Sequence, residues 1–260
     1  MINVNELYSV KDKFAVVTGG SRGIGLDMAR ALVSSGATVV ISSRKEPAVE
    51  TAAAELNELG RAHGFAADLG TVEGAEALAA FVREKTDKVD VLVNNAGATW
   101  GAPLEAFPES GWDKVLNVNV KGPFFLTKAL LPELKAAANR EAPAKIINLA
   151  SVEGMRAGQL ETYSYGVSKA GIIHLTEHLA LQLAPRHITV NAVAPGPFPT
   201  KMMAGTLQMA GEDAVSGMVP LRRMGKPEDL FGVTLFLASS ASDYITGQTI
   251  ALGGGLGTIA

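Results

Sequence analysis

The sequence predicts a single-domain α/β protein: a doubly wound parallel sheet of about seven strands with helices on both faces. Three observations carry that prediction. Short β-rich apolar runs recur along the chain, each separated from the next by enough residues for a helix. The runs are nearly all apolar, as strands covered on both faces must be. The 260 residues with 47% hydrophobic content suffice for one sizeable core, and no repeat or linker divides 1–260. Composition excludes other classes. With 23 basic and 26 acidic residues the net charge is −3, so there is no positive field to hold nucleic acid or an anionic membrane, and a small molecule is the expected partner. The absence of cysteine excludes disulfides, thiolate metal sites and thiol catalysis. The opening MINVNELYSVKDK lacks a signal-peptide apolar stretch, and no run of about 18 apolar residues offers a membrane span. A cytoplasmic location is the resulting default.

The expected strands are, in order, FAVVTG (14–19), TVVIS (38–42), HGFAAD (63–68), VDVLVNNA (89–96), KIINLA (145–150), ITVNAVAP (188–195) and QTIALGG (248–254). Between the third and fourth, Val72, Ala75, Leu78 and Val82 fall on one face of a helix over 71–85. Gly36 after ARALVSS and Gly60 after AAAELNEL stand where left-handed helix caps are expected. From Pro195 to Pro220 the pattern breaks into a stretch with four prolines, four glycines and four methionines. Its position after a strand end favours a mobile lid, about 197–220, over an ordinary surface excursion.

The first strand runs into Thr18-Gly19-Gly20-Ser21-Arg22-Gly23-Ile24-Gly25 and then an amphipathic helix. Glycines there let the backbone turn tightly and approach a pyrophosphate, whose charge suits free N–H groups at a helix start. Tyr165 and Lys169 are four residues apart on an expected helix and share a face. An ammonium beside a phenol favours the phenolate and lowers its pKa, letting Tyr165 exchange a proton with a carbonyl or alcohol oxygen. Ser151, at a strand's carboxyl end, is placed to hydrogen-bond the same oxygen. Tyr163 lacks such a partner, since its i+4 residue is Val167. At the second strand's tip an Asp or Glu would chelate ribose hydroxyls, whereas this tip carries Ser43 followed by Arg44, which offers charge-assisted contacts to a 2′-phosphate. Glu46 dissents, but its position suits a helix start.

The spacing T-G-x-x-x-G-x-G, Asn94-Asn95-Ala96-Gly97, Asn119 in LNVNVKG, Ser151 ending INLAS, Y-G-V-S-K at 165–169, and Pro195-Gly196 followed by Thr200 together resemble the short-chain dehydrogenase/reductase family, from about Lys11 to Gly255. The resemblance implies a Rossmann-type catalytic domain that moves hydride between a nicotinamide and a carbonyl or secondary alcohol. It implies a catalytic set of Asn119, Ser151, Tyr165 and Lys169, with Asn119 anchoring a water near the lysine. It further implies cofactor contacts from Gly19, Ser21, Arg22, Gly23, Ile24, Gly25, Ser43, Arg44, Asp68, Leu69, Asn95, Ala96, Gly97, Pro195, Gly196, Phe198 and Thr200, besides Tyr165 and Lys169. Arg22 and Arg44 resemble the family's NADP-type determinants, so NADP(H) is expected ahead of NAD(H). Asp68-Leu69 resembles an adenine-contacting pair; an Asp at a strand end is also a helix-cap candidate. A homo-oligomer, dimer or tetramer, is implied as well. The phrase NNAGATWGAPLEAFPESGWDKV resembles the rhamnolipid-pathway type of 3-oxoacyl-thioester reductase. Met202, Met203, Leu207, Met209, Met218 and Val219 form an adaptable apolar surface suited to a substrate with an apolar tail. The alternatives are an NAD-dependent alcohol, polyol or steroid-type dehydrogenase of the same family, and a non-catalytic cofactor-sensing or scaffold protein.

Two further patterns compete for a role. His174-Leu175-Thr176-Glu177-His178 matches H-x-x-E-H, a metal-binding spacing. Nine positions from Tyr165, at about 100° per residue, turn His174 half a circle from the catalytic face, so an outward, subunit-facing position is expected. Trp100, Pro103, Phe107 and Trp112 are read either as a substrate-pocket wall or as packing at the next helix start. His63 and His187, each leading an expected strand, carry no assignable role.

Overall fold

Seven parallel strands form one sheet in the order β3-β2-β1-β4-β5-β6-β7 in the computed structural model, which describes residues 3–158 and 160–259. The strands are β1 (Phe14–Thr18), β2 (Thr38–Ser43), β3 (Arg61–Ala66), β4 (Val91–Asn94), β5 (Ala144–Leu149), β6 (Ile188–Pro195) and β7 (Thr249–Leu252). The helices are α1 (Val4–Leu7), α2 (Gly23–Ser34), α3 (Glu46–Asn57), α4 (Val72–Arg83), α5 (Glu109–Leu116), α6 (Gly122–Ala129), α7 (Leu131–Ala137), α8 (Val152–Met155), α9 (Tyr163–Leu183), α10 (Ala204–Ala210), α11 (Glu212–Met218) and α12 (Pro227–Ala238). The doubly wound expectation holds. β1, β4, β5 and β6 are buried along their whole length, which is why their sequences are apolar without alternation. Met28 and Leu32 of α2, Leu56 of α3 and Leu237 of α12 cover one face, while Leu78 and Val82 of α4, Leu126 of α6 and Leu183 of α9 cover the other.

Local chemistry explains several boundaries. The Thr71 hydroxyl accepts the Gly74 N–H and starts α4, and Pro47, Pro132 and Pro227 stand at helix starts, where a missing N–H costs nothing. Glu46 opens α3, as its dissent from the cofactor pattern suggested. Gly36 adopts φ +90° just past α2, as a left-handed cap should. Gly60 does not have a positive φ. Its lack of a side chain serves close packing instead, because a Cβ there would lie 2.8 Å from Val33 Cγ1. His63 is the third residue of β3 and does not lead it, whereas His187 does precede β6, in a left-handed conformation.

The stretch expected to be irregular folds as α10 and α11, joined at Gly211. Val219 is buried, so it leaves the apolar surface assigned to it, while Met202, Met209 and Met218 are exposed. The segment is held at both ends. Thr200 Cγ2 lies 3.3 Å from where a Gly23 Cβ would stand, and the Leu221 N–H donates to the Gly254 carbonyl at 3.1 Å. Among the described residues no helix is long and apolar enough to cross a membrane.

At the amino end of the sheet, away from the strand tips, Lys145 is 1% exposed and its Nζ donates to Asp243 Oδ1 at 2.7 Å. Burial lowers the lysine's pKa and the Asp243 contact opposes that shift. Removing the carboxylate strands a buried ammonium. Asp243→Ala is therefore expected to cost about 2 kcal/mol near neutral pH, below the usual range for a broken buried pair because Asp243 is itself partly exposed. The unfolded chain then binds a proton that the folded chain resists, so the loss shrinks as pH rises toward the ordinary lysine range. Urea denaturation at about pH 7 and about pH 9.5 checks this: a penalty that stays constant or grows with pH contradicts it.

Candidate active site

Strand order reverses between β1 and β4, and the loops leaving the carboxyl ends of the strands on either side meet there. The Thr18 hydroxyl, 1% exposed, accepts the N–H groups of Asn95 and Ala96, both at 2.9 Å. Asn95 Nδ2 returns the link by donating to the carbonyls of Thr18 at 2.8 Å and Gly19 at 3.2 Å. Asn95 thus reaches the glycine turn from β4 and braces it from below. Gly19 turns at φ +64°, and a Cβ there would stand 3.0 Å from Ala96 Cα; one at Gly25 would collide with Asn95 Nδ2. Arg22 precedes α2 in extended conformation and makes no side-chain cap, leaving the first-turn N–H groups of a 12-residue helix open. Ser21 and Ile24 flank it, half-buried. This cradle fits a dinucleotide pyrophosphate, because backbone glycine leaves the room and the helix start supplies the donors.

Around the adenosine end the fit is partial. Ser43 ends β2 with its hydroxyl donating to the Lys45 carbonyl at 3.4 Å, and Arg22 and Arg44 are exposed. Asp68 is exposed and its carboxylate accepts the Gly70 N–H at 3.0 Å, an Asx turn; the cap of α4 is Thr71, so the helix-cap reading of Asp68 falls. Leu69 and Phe198 turn their side chains inward. Leu69 is 5% exposed within the core beneath α4 and α6, and the Phe198 ring is 4% exposed and packs onto Gly225, so only their main chains are left to meet a cofactor. Both side chains are apolar and took the drier position. Pro195 and Gly196 close β6, and a Cβ on Gly196 would stand 2.8 Å from Gly253 Cα, so this glycine also serves the junction with β7.

Asn119, Ser151, Tyr165 and Lys169 converge above the tips of β4 and β5. A π turn, Asn117–Lys121, between α5 and α6 turns Asn119 inward to 2% exposure. Its Oδ1 accepts the Ala98 N–H at 2.8 Å, and its Nδ2 donates to the Ala98 carbonyl at 2.9 Å and to Ser168 Oγ at 2.8 Å. Ser168 in turn donates to the Tyr165 carbonyl at 2.7 Å, so Asn119 clamps the loop after β4 to the first turns of α9. Lys169 Nζ donates to the Leu149 carbonyl at 2.6 Å and lies 5.6 Å from the centre of the Tyr165 ring. Gly97 separates the two sides. A Cβ on it would be 3.6 Å from Asn119 Oδ1 and 3.9 Å from Lys169 Nζ. Ser151 accepts the Glu153 N–H at 3.2 Å and hydrogen-bonds the Tyr165 phenol.

The electrostatics correct one expectation. Burial pushes the phenol up to about 12, with the Ser151 hydrogen bond opposing and the Glu153 carboxylate adding to the rise. Burial also brings Lys169 down to about 8. The ammonium does not lower the phenol in the chain alone, because Nζ points at the Leu149 carbonyl and solvent exclusion outweighs its charge. A protonated phenol is an acid, and the arrangement is that of a proton donor beside a hydroxyl that orients the acceptor oxygen.

Among the competing patterns, Tyr163 meets Phe107 edge-on at 5.7 Å, Phe107 meets Trp112 at 6.5 Å, and the Trp100 ring fills the space over Gly111 under Lys114 Nζ. These aromatics pack the start of α5 against the start of α9, as the packing reading held. His174, Glu177 and His178 are exposed, and no group of three or more His, Cys, Asp or Glu among the described residues is arranged to hold a metal ion. Thr18, Ser168 and Glu153 escaped the sequence reading. Thr18 lay inside the glycine phrase and Ser168 inside Y-G-V-S-K, but nothing in one dimension distinguishes a polar side chain that bridges two elements from one that faces water.

Comparison with known proteins places the chain among characterised relatives. Residues 19–257 match the family model described as enoyl-(acyl carrier protein) reductase. The chain is 41% identical to the rhamnolipids biosynthesis 3-oxoacyl-[acyl-carrier-protein] reductase of Pseudomonas aeruginosa, over 95% of this chain and 97% of that one. It is 37% identical to the 3-oxoacyl-[acyl-carrier-protein] reductase FabG of Thermotoga maritima, over 95% and 98%. The solved Pseudomonas aeruginosa RhlG/NADP active-site complex superposes with a TM-score of 0.94 at 40% identity, covering 97% of this chain and 99% of that one. The chain belongs to the short-chain dehydrogenase/reductase family.

Proposed function

We propose that the protein is an NADP-dependent ketoreductase that reduces 3-oxoacyl thioesters or similar ketones beside an apolar tail, drawing on the cytoplasmic pool of reduced cofactor. The observation that carries the reading is the convergence of Ser151, Tyr165, Lys169 and Asn119 beside the uncapped start of α2. The cofactor, when bound, supplies the hydride. The glycine turn and the α2 N–H groups hold its pyrophosphate, and Arg22 and Arg44 meet the 2′-phosphate. Ser151 orients the substrate oxygen, and the Tyr165 phenol, protonated because it is buried, donates the proton to it. The Lys169 ammonium stabilises the phenolate left behind, and Asn119 holds the Gly97–Ala98 loop and α9 in register. The exposed methionines of the 197–220 cover supply an adaptable apolar surface for the substrate chain. Relatives named as 3-oxoacyl-carrier reductases support this substrate class. A homo-oligomer, dimer or tetramer, is part of the proposal; Phe124, Val167 and Leu181 stand exposed on α6 and α9, where an identical face is able to cover them.

Tyr165→Phe keeps the ring volume and removes the acid, so turnover on a ketone that the parent reduces should fall at least about 100-fold with little change in cofactor affinity. Near-normal turnover removes Tyr165 from the role. Arg44→Asp places a like charge beside the 2′-phosphate and should weaken NADPH relative to NADH by about 1 to 3 kcal/mol, read by fluorescence titration of both cofactors. In a chain-length series of 3-oxoacyl esters or thioesters, the specificity constant should gain about 1 kcal/mol per methylene while the chain still finds the cover, and should exceed that for keto sugars. A flat series, or a preference for the sugars, contradicts the substrate class.

A further inference from the structure

Glu153 is a partly buried carboxylate that the proton transfer does not use, two residues from Ser151. Its N–H donates to Ser151 Oγ, and its Oε2 accepts the Thr162 hydroxyl at 3.3 Å. Thr162 precedes α9, and its carbonyl accepts the Tyr165 N–H at 2.9 Å, so the carboxylate is tied to the turn that carries the phenol. A Cβ on Gly158 would stand 3.1 Å from Glu153 Cδ, so the chain after α8 passes close over the carboxylate and glycine leaves it room. Burial pushes the Glu153 carboxyl up, and its charge is felt at the Tyr165 phenol. A charge so shielded from water acts farther and more strongly than one on the surface.

We infer that Glu153 selects substrates by charge, disfavouring ketones that carry a carboxylate one methylene away from the reacting carbonyl and admitting their neutral esters and thioesters. The inference rests on the ketoreductase reading. The reacting oxygen lies between the Ser151 hydroxyl and the Tyr165 phenol, so a substituent three or four bonds from it falls within the field of a carboxylate that is held by Thr162 at the first turn of α9 and whose main-chain N–H bonds Ser151. A 3-oxo acid places its negative charge there, whereas the thioester of the same acid places a neutral carbonyl there. Discrimination then comes from repulsion of the wrong substrate and not from added contacts to the right one.

The test compares NADPH-dependent reduction of ethyl 3-oxobutanoate with that of the 3-oxobutanoate anion by the parent, Glu153→Gln and Glu153→Asp. The parent should favour the ester in kcat/KM by at least about tenfold, and Glu153→Gln, which keeps the shape and a hydrogen-bond acceptor for Thr162, should shrink that ratio about tenfold through a lower KM for the anion. Glu153→Asp, which keeps the charge, should retain the discrimination. An unchanged ratio in Glu153→Gln, or an equal fall for both substrates, overturns the inference and leaves the ketoreductase reading standing. Failure of the parent to reduce either compound sinks that reading, and the inference with it.

Discussion

The Thr18 hydroxyl and the Asn95 amide hold β1 to the end of β4 where the strand order reverses, and the site depends on that joint. A parallel sheet presents unpaired main-chain groups wherever two strands end side by side. Those groups must be satisfied or wetted. A hydroxyl that accepts two N–H groups and an amide that donates to two carbonyls satisfy them without water. The glycine turn is therefore braced by main-chain and side-chain bonds of the fold itself, and the α2 start is aimed by the same bonds. Close approach has a steric counterpart, since a side chain at Gly19 or Gly25 would enter the space the Asn95 amide occupies.

Burial, more than any single charge, sets the protonation states nearby. It raises the Tyr165 phenol and lowers the Lys169 ammonium, so in the chain alone the two pKa values move toward a state with a neutral phenol and an easily discharged lysine. That state suits donation of a proton to a carbonyl. The lysine is fixed through the Leu149 carbonyl and not through the phenol, which anchors α9 on the tip of β5. Asn119 acts on the same helix from the opposite side through Ser168. Two elements with no sequence relation therefore define where the phenol stands.

The surroundings of the site are built from unlike materials. Aromatic rings from 100 to 112 and Tyr163 pack the start of α5 against the start of α9, Met209 and Met218 stand exposed on the two short helices, and the Glu153 carboxylate accepts the Thr162 hydroxyl. In the proposed function, an apolar cover and a shielded negative charge favour the same ligand class, a neutral carbonyl with an apolar chain. The 197–220 segment meets the rest of the fold near Gly23 through Thr200 and near Gly254 through Leu221.

All seven strands, the α4 face through Ala75, Leu78 and Val82, the Gly36 cap, and the phrases around Thr18, Asn95, Ser151, Tyr165 and Lys169 were legible in the sequence. The strands, the α4 face, the Gly36 cap and the Tyr165–Lys169 spacing are local patterns, while the phrases around Asn95 and Ser151 were legible through their resemblance to the family. The reading erred where a residue's role is set by what folds against it. Gly60 looked like a cap but makes room for Val33, and Val219 left the apolar surface assigned to it. Glu153 carried no signal at all. The direction of the Tyr165 shift was misjudged because spacing along α9 brings the lysine near but says nothing of how much water both groups lose or where the ammonium points. The sequence by itself determined the strands and their parallel, doubly wound arrangement. The tertiary structure alone decided which side chains face inward and which protonation states they hold, because solvent exclusion depends on contacts between residues far apart in the chain.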